Sequence, residues 1–498
     1  MKTFTQDKMS ITAKVFASSA FQIALNLIQR SLGIISTLIL ARVLAPEDFG
    51  VIAILMLAMH LVDILSDAGS QQYIIQKQNS DHLDLNTAWS FDVISKTLLT
   101  LDLWLCAPYI SQVLENPLLT TPIQIISISI PLRALRNPAL ILLAKELDYS
   151  PIFRINLTQK LLSFVSVMLC LVISPSYWAI VIGDLVAALV LLFGSYYINS
   201  YRPFFTLKKL KDQWEFSQWS LLRGITGFFR SQFDILVVSK MHNPAALGGY
   251  HIQRELALIP VFSLFVPAAE PLLTAIAKAK HDIQLFRYRV RISLLSSLIF
   301  LLPTSAFIFM FSKNIVSGLL GPQWIEQHQL LSYFSLMFLT FCFHTVLCDC
   351  FVALNKMKLL FKFDLASTVI TVITLLLLSD FNLTNFALIR GITGLAVTTG
   401  LLLILAQITK LELSKLFLNT IPTITATFLA STVASMLSPT GFGPIVDLGS
   451  ISLLFFMIFL LCYFTISYLA KPISDENLTV LVTTYSSLQR LVSPMFKG

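Results

Sequence analysis

Apolar stretches of about 20 residues, separated by short polar segments, alternate along nearly the whole chain. About 20 apolar residues form one α-helix across the hydrocarbon core of a bilayer, whereas a transmembrane β-strand has about 10 residues of alternating polarity. The pattern therefore predicts an all-α polytopic membrane protein with about fourteen transmembrane helices and argues against a β-barrel. The predicted spans are about 15–40, 49–68, 88–110, 121–144, 155–174, 177–199, 218–239, 246–272, 292–311, 329–354, 360–378, 385–407, 417–437 and 447–469.

Composition agrees with this prediction and excludes several other classes of protein. Of the 498 residues, 56% are hydrophobic and 12% are charged, and the mean hydropathy is +0.77. Soluble domains carry about 25% charged residues, so a soluble enzyme, a secreted disulfide scaffold and a disordered chain are excluded. The six cysteines lie in apolar stretches and form no CxxC pair, so we expect no metal site.

Lysine and arginine are distributed unevenly between the two predicted sides of the membrane. If the N-terminus is cytoplasmic, the inside segments hold 23 of the 35 Lys and Arg residues, and the outside loops hold three, Arg42, Lys240 and Lys313. Positive charge is retained on the cytoplasmic side, so both termini are predicted to be cytoplasmic. The net charge of +8 is accordingly interpreted as topology rather than as nucleic-acid binding.

The two halves of the chain resemble each other at a spacing of about 200 residues. Arg30-Ser31 in the first span corresponds to Arg230-Ser231 in the seventh, and the segment 45–50 corresponds to 243–248. Six spans lie between the starts of the two repeats, so both halves have the same orientation. Parallel repeats of this kind occur in transporters, where the substrate site lies at the repeat interface.

Polar residues follow one face of each of the two repeat-equivalent spans, as helical periodicity allows. The first span carries Gln22, Asn26 and Gln29, with Arg30 beside them. The seventh carries Arg223, Arg230 and Asp234. Charged residues inside a membrane normally face the bundle interior or water. These faces therefore predict a central cavity, although Arg230 and Asp234 could instead form a purely structural pair one turn apart.

Four arginines and four carboxylates are the candidate functional residues. Arginine binds phosphate oxygens through two parallel hydrogen bonds and stays charged at physiological pH, so an anionic substrate is expected. The candidate anion-binding residues are Arg30, Arg223, Arg230 and Arg254, and Gln22, Asn26 and Gln29 are candidate polar residues of the cavity. The candidates for coupling to a proton or Na⁺ are Asp63, Asp67, Asp234 and Glu255.

Several segments resemble one family of transporters. These are the stretches Leu40–Gly50, Ser66–Gly69, Ile74–Lys77, Leu85–Trp89, Ala245–Tyr250 and Gly321–Trp324. They are similar to the oligosaccharide flippases of the polysaccharide transporter family in the MOP superfamily, which are the Wzx-type proteins. The resemblance is greatest to the colanic-acid-type (WzxC-like) exporters, and it covers most of the first twelve spans.

The resemblance implies a fold of two pseudo-symmetric six-helix lobes around a central cavity, as in MATE and MurJ transporters, with an extra C-terminal helix pair. The expected order is a cytoplasmic N-terminus at 1–14, an N-lobe of helices 1–6 at 15–199 and a basic cytoplasmic linker at 200–217. A C-lobe of helices 7–12 at 218–407, accessory helices at 417–469 and a cytoplasmic tail at 470–498 complete the chain.

The resemblance also implies a substrate, an oligosaccharide repeat unit on undecaprenyl pyrophosphate, which crosses the bacterial inner membrane by alternating access during surface polysaccharide synthesis. Membrane lipid and a cognate polysaccharide polymerase are the expected partners, and no cofactor or enzymatic activity is expected. A cation-coupled multidrug exporter of the same superfamily is the alternative. Its cationic substrates would require a cavity dominated by carboxylates, whereas arginines are prominent here.

Overall fold

A computed structural model describes most of the chain as helix. The described residues are 25, 27–66, 73–74, 77, 81–146, 148–269, 276, 279, 282–378, 382–437, 441–470 and 476. Over these residues the regular elements are α-helices with short 3₁₀ and π segments, and no strand occurs. The predicted all-α class is therefore confirmed.

The chain divides into two compact units, Met1–His251 and Ile252–Gly498. The described residues of the first unit contain α1 (27–43), which carries Arg30, and nine further helices with defined bounds, the last of which runs on into the second unit. The helices are α2 (Pro46–Ser66), α3 (His82–Val113), α4 (Thr120–Ser127), α5 (Ser129–Ala134), α6 (Ala139–Lys145), α7 (Ser150–Ile173), α8 (Trp178–Ile198), α9 (Leu210–Met241) and α10 (Pro244–Pro260).

The second unit continues α10 through a π-helical turn, Val261–Phe265, which follows directly on Pro260. Proline removes a backbone donor and perturbs the α-helical ladder, so a π turn beside it is a local adjustment of that ladder. The remaining helices are α11 (Ile283–Met310), α12 (Ser312–Leu319), α13 (His328–Ala353), α14 (Met357–Leu377), α15 (Leu383–Thr409), α16 (Leu413–Leu437) and α17 (Pro444–Leu469).

Eleven helical segments in the described part of the chain are long and apolar enough to cross a membrane, or twelve if the bent segment from Pro117 to Lys145 is one span. The predicted number of fourteen is not established by this test. The predicted first and seventh spans are outside the set. The described part of α1 is short, and α9 carries Arg223, Arg230, Asp234 and Lys240. For α9, the polarity that suggested a function is thus also what separates it from simple apolar spans.

Proline and carboxylate residues set the starts of several helices. Pro46 and Pro244 each occupy the first residue of a helix, where the missing N–H costs no hydrogen bond. At the start of α3, the Asp81 side chain accepts a hydrogen bond from the Asp84 backbone N–H, and Asp84 accepts one from the Asp81 N–H. This reciprocal cap satisfies two backbone donors that the helix leaves unpaired.

The first turns of α2 and α10 cross in direct backbone contact within the first unit. A Cβ atom built on Gly50 would lie 2.1 Å from the Pro244 carbonyl oxygen, and one built on Gly248 would lie 1.9 Å from the Pro46 carbonyl oxygen. No side chain fits at such distances, so glycine is required at both positions. The two segments are the ones that the sequence repeat pairs at 45–50 and 243–248.

The segment between α8 and α9 is shorter than the predicted linker at 200–217, because α9 already begins at Leu210. Residues 199–209, here called the linker strap, have no regular secondary structure beyond a turn at their end. The compact units divide inside α10, whereas the repeat divides the chain before α9. The boundary between compact units is not the boundary between sequence repeats. The predicted lobes therefore stay a prediction.

Candidate functional site

Two cationic side chains lie on neighbouring helices of the first unit, α1 and α7. Arg30 is half-buried, and its Nη1 atom is inaccessible to solvent without a hydrogen-bond partner among the described residues. Gly33 follows on the same face of α1, one turn later. A Cβ atom built on Gly33 would lie 3.9 Å from the Lys160 Nζ atom of α7. The ammonium group of Lys160 therefore points at the polar face of α1.

Sequence reasoning assigned no role to Lys160. It is the eleventh residue of the 24-residue helix α7, and at 1.5 Å per residue it is near the middle of the span. A lysine at that depth is costly, which was an available signal. It has no charged neighbour one turn away on α7, so only the fold could connect it with Arg30.

On α9, the predicted acidic residue forms part of a buried pair. Asp234 has no solvent exposure, and its Oδ2 atom accepts a hydrogen bond of 3.0 Å from the Tyr250 hydroxyl of α10. Tyr250 is also fully buried. Arg230 is half-buried one turn before Asp234, and the Arg223 backbone is helical but its side chain is outside the described residues. The Tyr250 partner of Asp234 could not be deduced from spacing along α9.

Arg254 and Glu255 belong to the second unit. Arg254 is 3% exposed, and its Nη1 atom lies 3.8 Å from Glu255 Oε1, so the two side chains form an ion pair. The Glu255 side chain is 48% exposed. Arg254 is thus a desolvated guanidinium with an acidic neighbour. Its convergence with Arg30 and Arg230 in one cavity stays a prediction.

The remaining predicted residues fall into two groups. Gln29 is half-buried on α1 beside Arg30. Gln22, Asn26 and Asp67 lie outside the described residues. The predicted polar face of the first span is therefore described only from Leu27 onward.

Asp63 lies within a group of charged side chains of the first unit. It interacts electrostatically with Arg133, Lys96 and Asp184. Arg133 of α5 forms an ion pair with Asp184 of α8, and Lys96 pairs with Asp92 at 2.9 Å on α3. The sequence placed these groups on separate spans, and the fold brings four helices together around them. Such a network can exchange one partner of a carboxylate for another, or for a cation.

A second charged cluster ties the linker strap to the start of α3. The Asp84 carboxylate is fully buried and lies 2.8 Å from Lys77 Nζ and 3.3 Å from Lys209 Nζ. Lys209 also binds Asp81 at 2.7 Å. The hydrogen bond from Lys209 holds the pKa of Asp81 well below its usual range. Hydrogen bonds to these carboxylates raise the pKa of both lysines, Lys77 through Asp84 and Lys209 chiefly through Asp81.

Hydrogen bonds continue this attachment along the strap. The Asn86 side-chain oxygen accepts from the Tyr201 hydroxyl at 2.9 Å and from the Phe204 N–H at 3.3 Å. Ser90 accepts from the Thr206 N–H at 3.0 Å, and the Phe205 ring packs 4.8 Å from Trp89. The predicted basic linker is thus fastened over several turns of α3, which its charge alone did not indicate.

In the second unit, two polar contacts join helices. Arg291 of α11 donates from Nε to both carboxylate oxygens of Glu476, at 2.8 and 2.9 Å. His344 of α13 lies 3.6 Å from Asp364 of α14 and 3.4 Å from the Cys348 sulfur. No cluster of three or more His, Cys, Asp or Glu side chains arranged to hold a metal occurs in the described part of the chain.

Comparison with solved structures defines the class of protein. The chain is similar to the lipid II flippase MurJ in its inward closed conformation, with a TM-score of 0.73, 16% identity, and coverage of 91% of this chain and 99% of that one. A MATE multidrug resistance transporter of the MOP superfamily, in an inward-facing conformation, gives a TM-score of 0.59 at 13% identity, covering 78% and 98%. The chain therefore shares the all-helical fold of these two solved proteins.

Sequence comparison gives the family. A family model described as polysaccharide biosynthesis protein matches residues 39–329, and the chain belongs to this family. It is 26% identical over 326 residues to the lipopolysaccharide biosynthesis protein WzxC of Escherichia coli, strain K12, covering 64% of this chain and 65% of that protein. It is 22% identical over 288 residues to the succinoglycan biosynthesis transport protein ExoT of Rhizobium meliloti, strain 1021, covering 57% and 58%.

These matches confirm the resemblance to Wzx-type transporters that the sequence motifs indicated. The chain matches less than two thirds of the length of either curated relative. Together, the family match and the apolar helices identify a multi-pass membrane protein of the polysaccharide biosynthesis family.

Proposed function

We propose that this protein is a flippase that moves an oligosaccharide linked to undecaprenyl pyrophosphate across the bacterial inner membrane. The observation that carries the proposal is the buried, unpartnered Nη1 atom of Arg30 on the polar face of α1. A relative also supports transport of a polysaccharide precursor, because ExoT is named a succinoglycan biosynthesis transport protein. The solved structure with a TM-score of 0.73 is a lipid II flippase.

A cation without a counterion inside a membrane is energetically costly, so its presence requires a functional explanation. A charged side chain at the bilayer centre costs roughly 2.5–3.5 kcal/mol on insertion scales, and leaving its donors unpaired adds to that cost. A bound phosphate would satisfy the guanidinium through two parallel charge-assisted hydrogen bonds. An anionic substrate thus accounts for Arg30 better than a cationic drug does.

The proposed mechanism is alternating access. The diphosphate enters from the cytoplasmic side and is held by Arg30, with Arg230, Arg254 and Arg223 as further cationic candidates. The glycan occupies the polar cavity, and the lipid tail stays in the bilayer. Binding of the anion lowers the cost of closing the protein around these cations, because it neutralises charge that would otherwise be desolvated.

Energy for repeated cycles would come from an ion gradient or from consumption of the flipped product. Asp63 is the carboxylate that we propose for proton or Na⁺ coupling, since Arg133 and Lys96 lie within electrostatic reach of it. Asp67 remains a candidate from the sequence. Asp234 and Glu255 are weaker candidates, because Tyr250 and Arg254 bind them. The polysaccharide polymerase that accepts the flipped product is the proposed protein partner, and both termini are proposed to be cytoplasmic.

The test of this proposal is mass spectrometry of lipid extracts from a strain that lacks the protein. Accumulated undecaprenyl-pyrophosphate oligosaccharide, restored to normal by the native gene and not by Arg30→Gln at equal expression, is the expected result. The matched control is Arg42→Gln, which removes an exposed arginine from the outer end of the same helix. Unchanged lipids together with sensitivity to toxic organic cations would instead support the multidrug exporter.

A further inference from the structure

The polar face of α1 has a second cation beside it. Lys160 of α7 points at Gly33, and the Cβ position of Gly33 lies 3.9 Å from its Nζ atom. Gly33 is one turn from Arg30, and residues three apart on a helix share a face about 5–6 Å apart. Arg30 and Gly33 thus share a face of α1, and the Lys160 ammonium contacts that face from α7.

Neither cation has a counterion in the described part of the chain. Arg30 Nη1 has no hydrogen-bond partner there, and Lys160 forms neither a hydrogen bond nor an ion pair with any described residue. Two other intramembrane cations of the same unit are paired, Arg133 with Asp184 and Lys96 with Asp92. Arg30 and Lys160 differ from these two in having no counterion among the described residues.

Glycine at position 33 leaves space next to the ammonium group. A methyl group there would be in ordinary van der Waals contact with Nζ, and any longer side chain would occupy the volume in front of it. Space beside two cations that lack a counterion is what an anionic group of a ligand requires, because a bound anion removes the cost of burying both.

We infer that Lys160, Arg30 and the space at Gly33 form a phosphate-binding subsite contained within the first unit, and that it receives the diphosphate of the lipid-linked substrate. This inference rests on the proposed function. Arg30 offers a planar fork of donors, and Lys160 offers a compact point charge with three donors. Each cation can thus meet one phosphate of the pair, so the subsite favours a diphosphate over a monophosphate lipid.

The experiment is a binding titration with the purified full-length chain in detergent, using undecaprenyl pyrophosphate as the probe. Lys160→Met removes the charge and keeps the apolar stem, and it is expected to weaken binding about ten- to a hundredfold. Lys160→Arg should restore most of the affinity. Gly33→Leu fills the space without changing any charge and should weaken binding to a similar extent. Lys211→Gln, at an exposed lysine on α9, should bind like the native chain.

The controls separate this inference from the proposed function. Undecaprenyl phosphate and phosphatidylglycerol are titrated in parallel, and the native chain should prefer the diphosphate lipid. Equal binding of all three lipids would contradict a subsite that selects the diphosphate. If Arg30→Gln weakens binding while Lys160→Met and Gly33→Leu bind normally, the inference fails and the proposed function survives. If the native chain does not bind the diphosphate lipid, both fail. Unchanged melting temperatures establish that each variant is folded.

Discussion

Gly50 of α2 and Gly248 of α10 each face the backbone of the other helix. Each is the fourth residue after the proline that begins its helix, and each approaches the carbonyl oxygen of the other helix's proline. The contact is reciprocal, as expected where two repeat-equivalent segments meet about a local two-fold relationship. The sequence repeat paired these segments, and the structure shows that they touch.

Replacing Gly248 with alanine is expected to destabilise the protein, because the new Cβ would lie 1.9 Å from the Pro46 carbonyl oxygen. Overpacking of this kind costs about 1–3 kcal/mol. The measurement is the melting temperature in detergent. Gly227→Ala is the matched control, since its Cβ would meet nothing within 4 Å and alanine is the better helix former. Equal melting temperatures for Gly248→Ala and the native chain would contradict the described crossing.

Tyr250→Phe removes the hydroxyl that donates to Asp234. Both side chains are fully buried, so the variant removes the Tyr250 donor from a buried carboxylate, at a cost of about 1–3 kcal/mol. Denaturant or thermal unfolding would measure the loss. The double variant Tyr250→Phe/Asp234→Asn should recover part of it, because the buried negative charge is then gone. Full additivity of the two substitutions would argue against the hydrogen bond.

The ion pair between Arg133 and Asp184 should behave as a coupled unit. Asp184→Asn alone leaves the Arg133 guanidinium inside the membrane without its ion-pair partner. The double variant Arg133→Gln/Asp184→Asn should therefore lose less stability than the sum of the losses of the two single variants. Contacting residues show coupling energies of about 0.5–3 kcal/mol. A double-mutant cycle measures this value, and a coupling of zero would show that the pair contributes nothing.

Attachment of the linker strap should depend on pH. The pKa of Asp81 is lowered by its hydrogen bond from Lys209, so its contribution is complete above the ordinary value of about 3.9 and is lost as the pH falls further. The pKa values of Lys77 and Lys209 are raised, so their contributions are complete below about 10.4 and are lost as the pH rises through the raised values. The attachment should thus be complete between about pH 5 and pH 9.

Hydrogen exchange of residues 200–209 at several pH values tests this dependence. Protection should fall at both ends of the range in the native chain. Asp81→Asn should show weaker protection at neutral pH and a smaller change on acidification, because the carboxylate that titrates is absent. Protection that is constant from acidic to alkaline pH would contradict an attachment through these charges.

Periodicity was sufficient to predict the helical class and most span positions, whereas the polar faces around Arg30 and Arg230 stay a prediction. It worked because bilayer thickness fixes helix length and because buried charges interrupt long apolar stretches. Contacts between helices distant in sequence could not be predicted in this way. Lys160 meets α1 only through packing, and Asp234 finds its donor on the next helix. The strap is held by Asn86 and Ser90, which have no distinctive sequence pattern.

We propose that the protein moves a diphosphate-linked glycan with Arg30 as an anion contact. The most direct test is a flipping assay in proteoliposomes that contain a fluorescent undecaprenyl-pyrophosphate oligosaccharide, whose inner-leaflet fraction is protected from an external quencher. Native protein should expose the protected fraction over time, and Arg30→Gln should slow this exposure at least tenfold while Arg42→Gln does not. Flipping at the protein-free rate by the native chain, or at the native rate by Arg30→Gln, would contradict the claim.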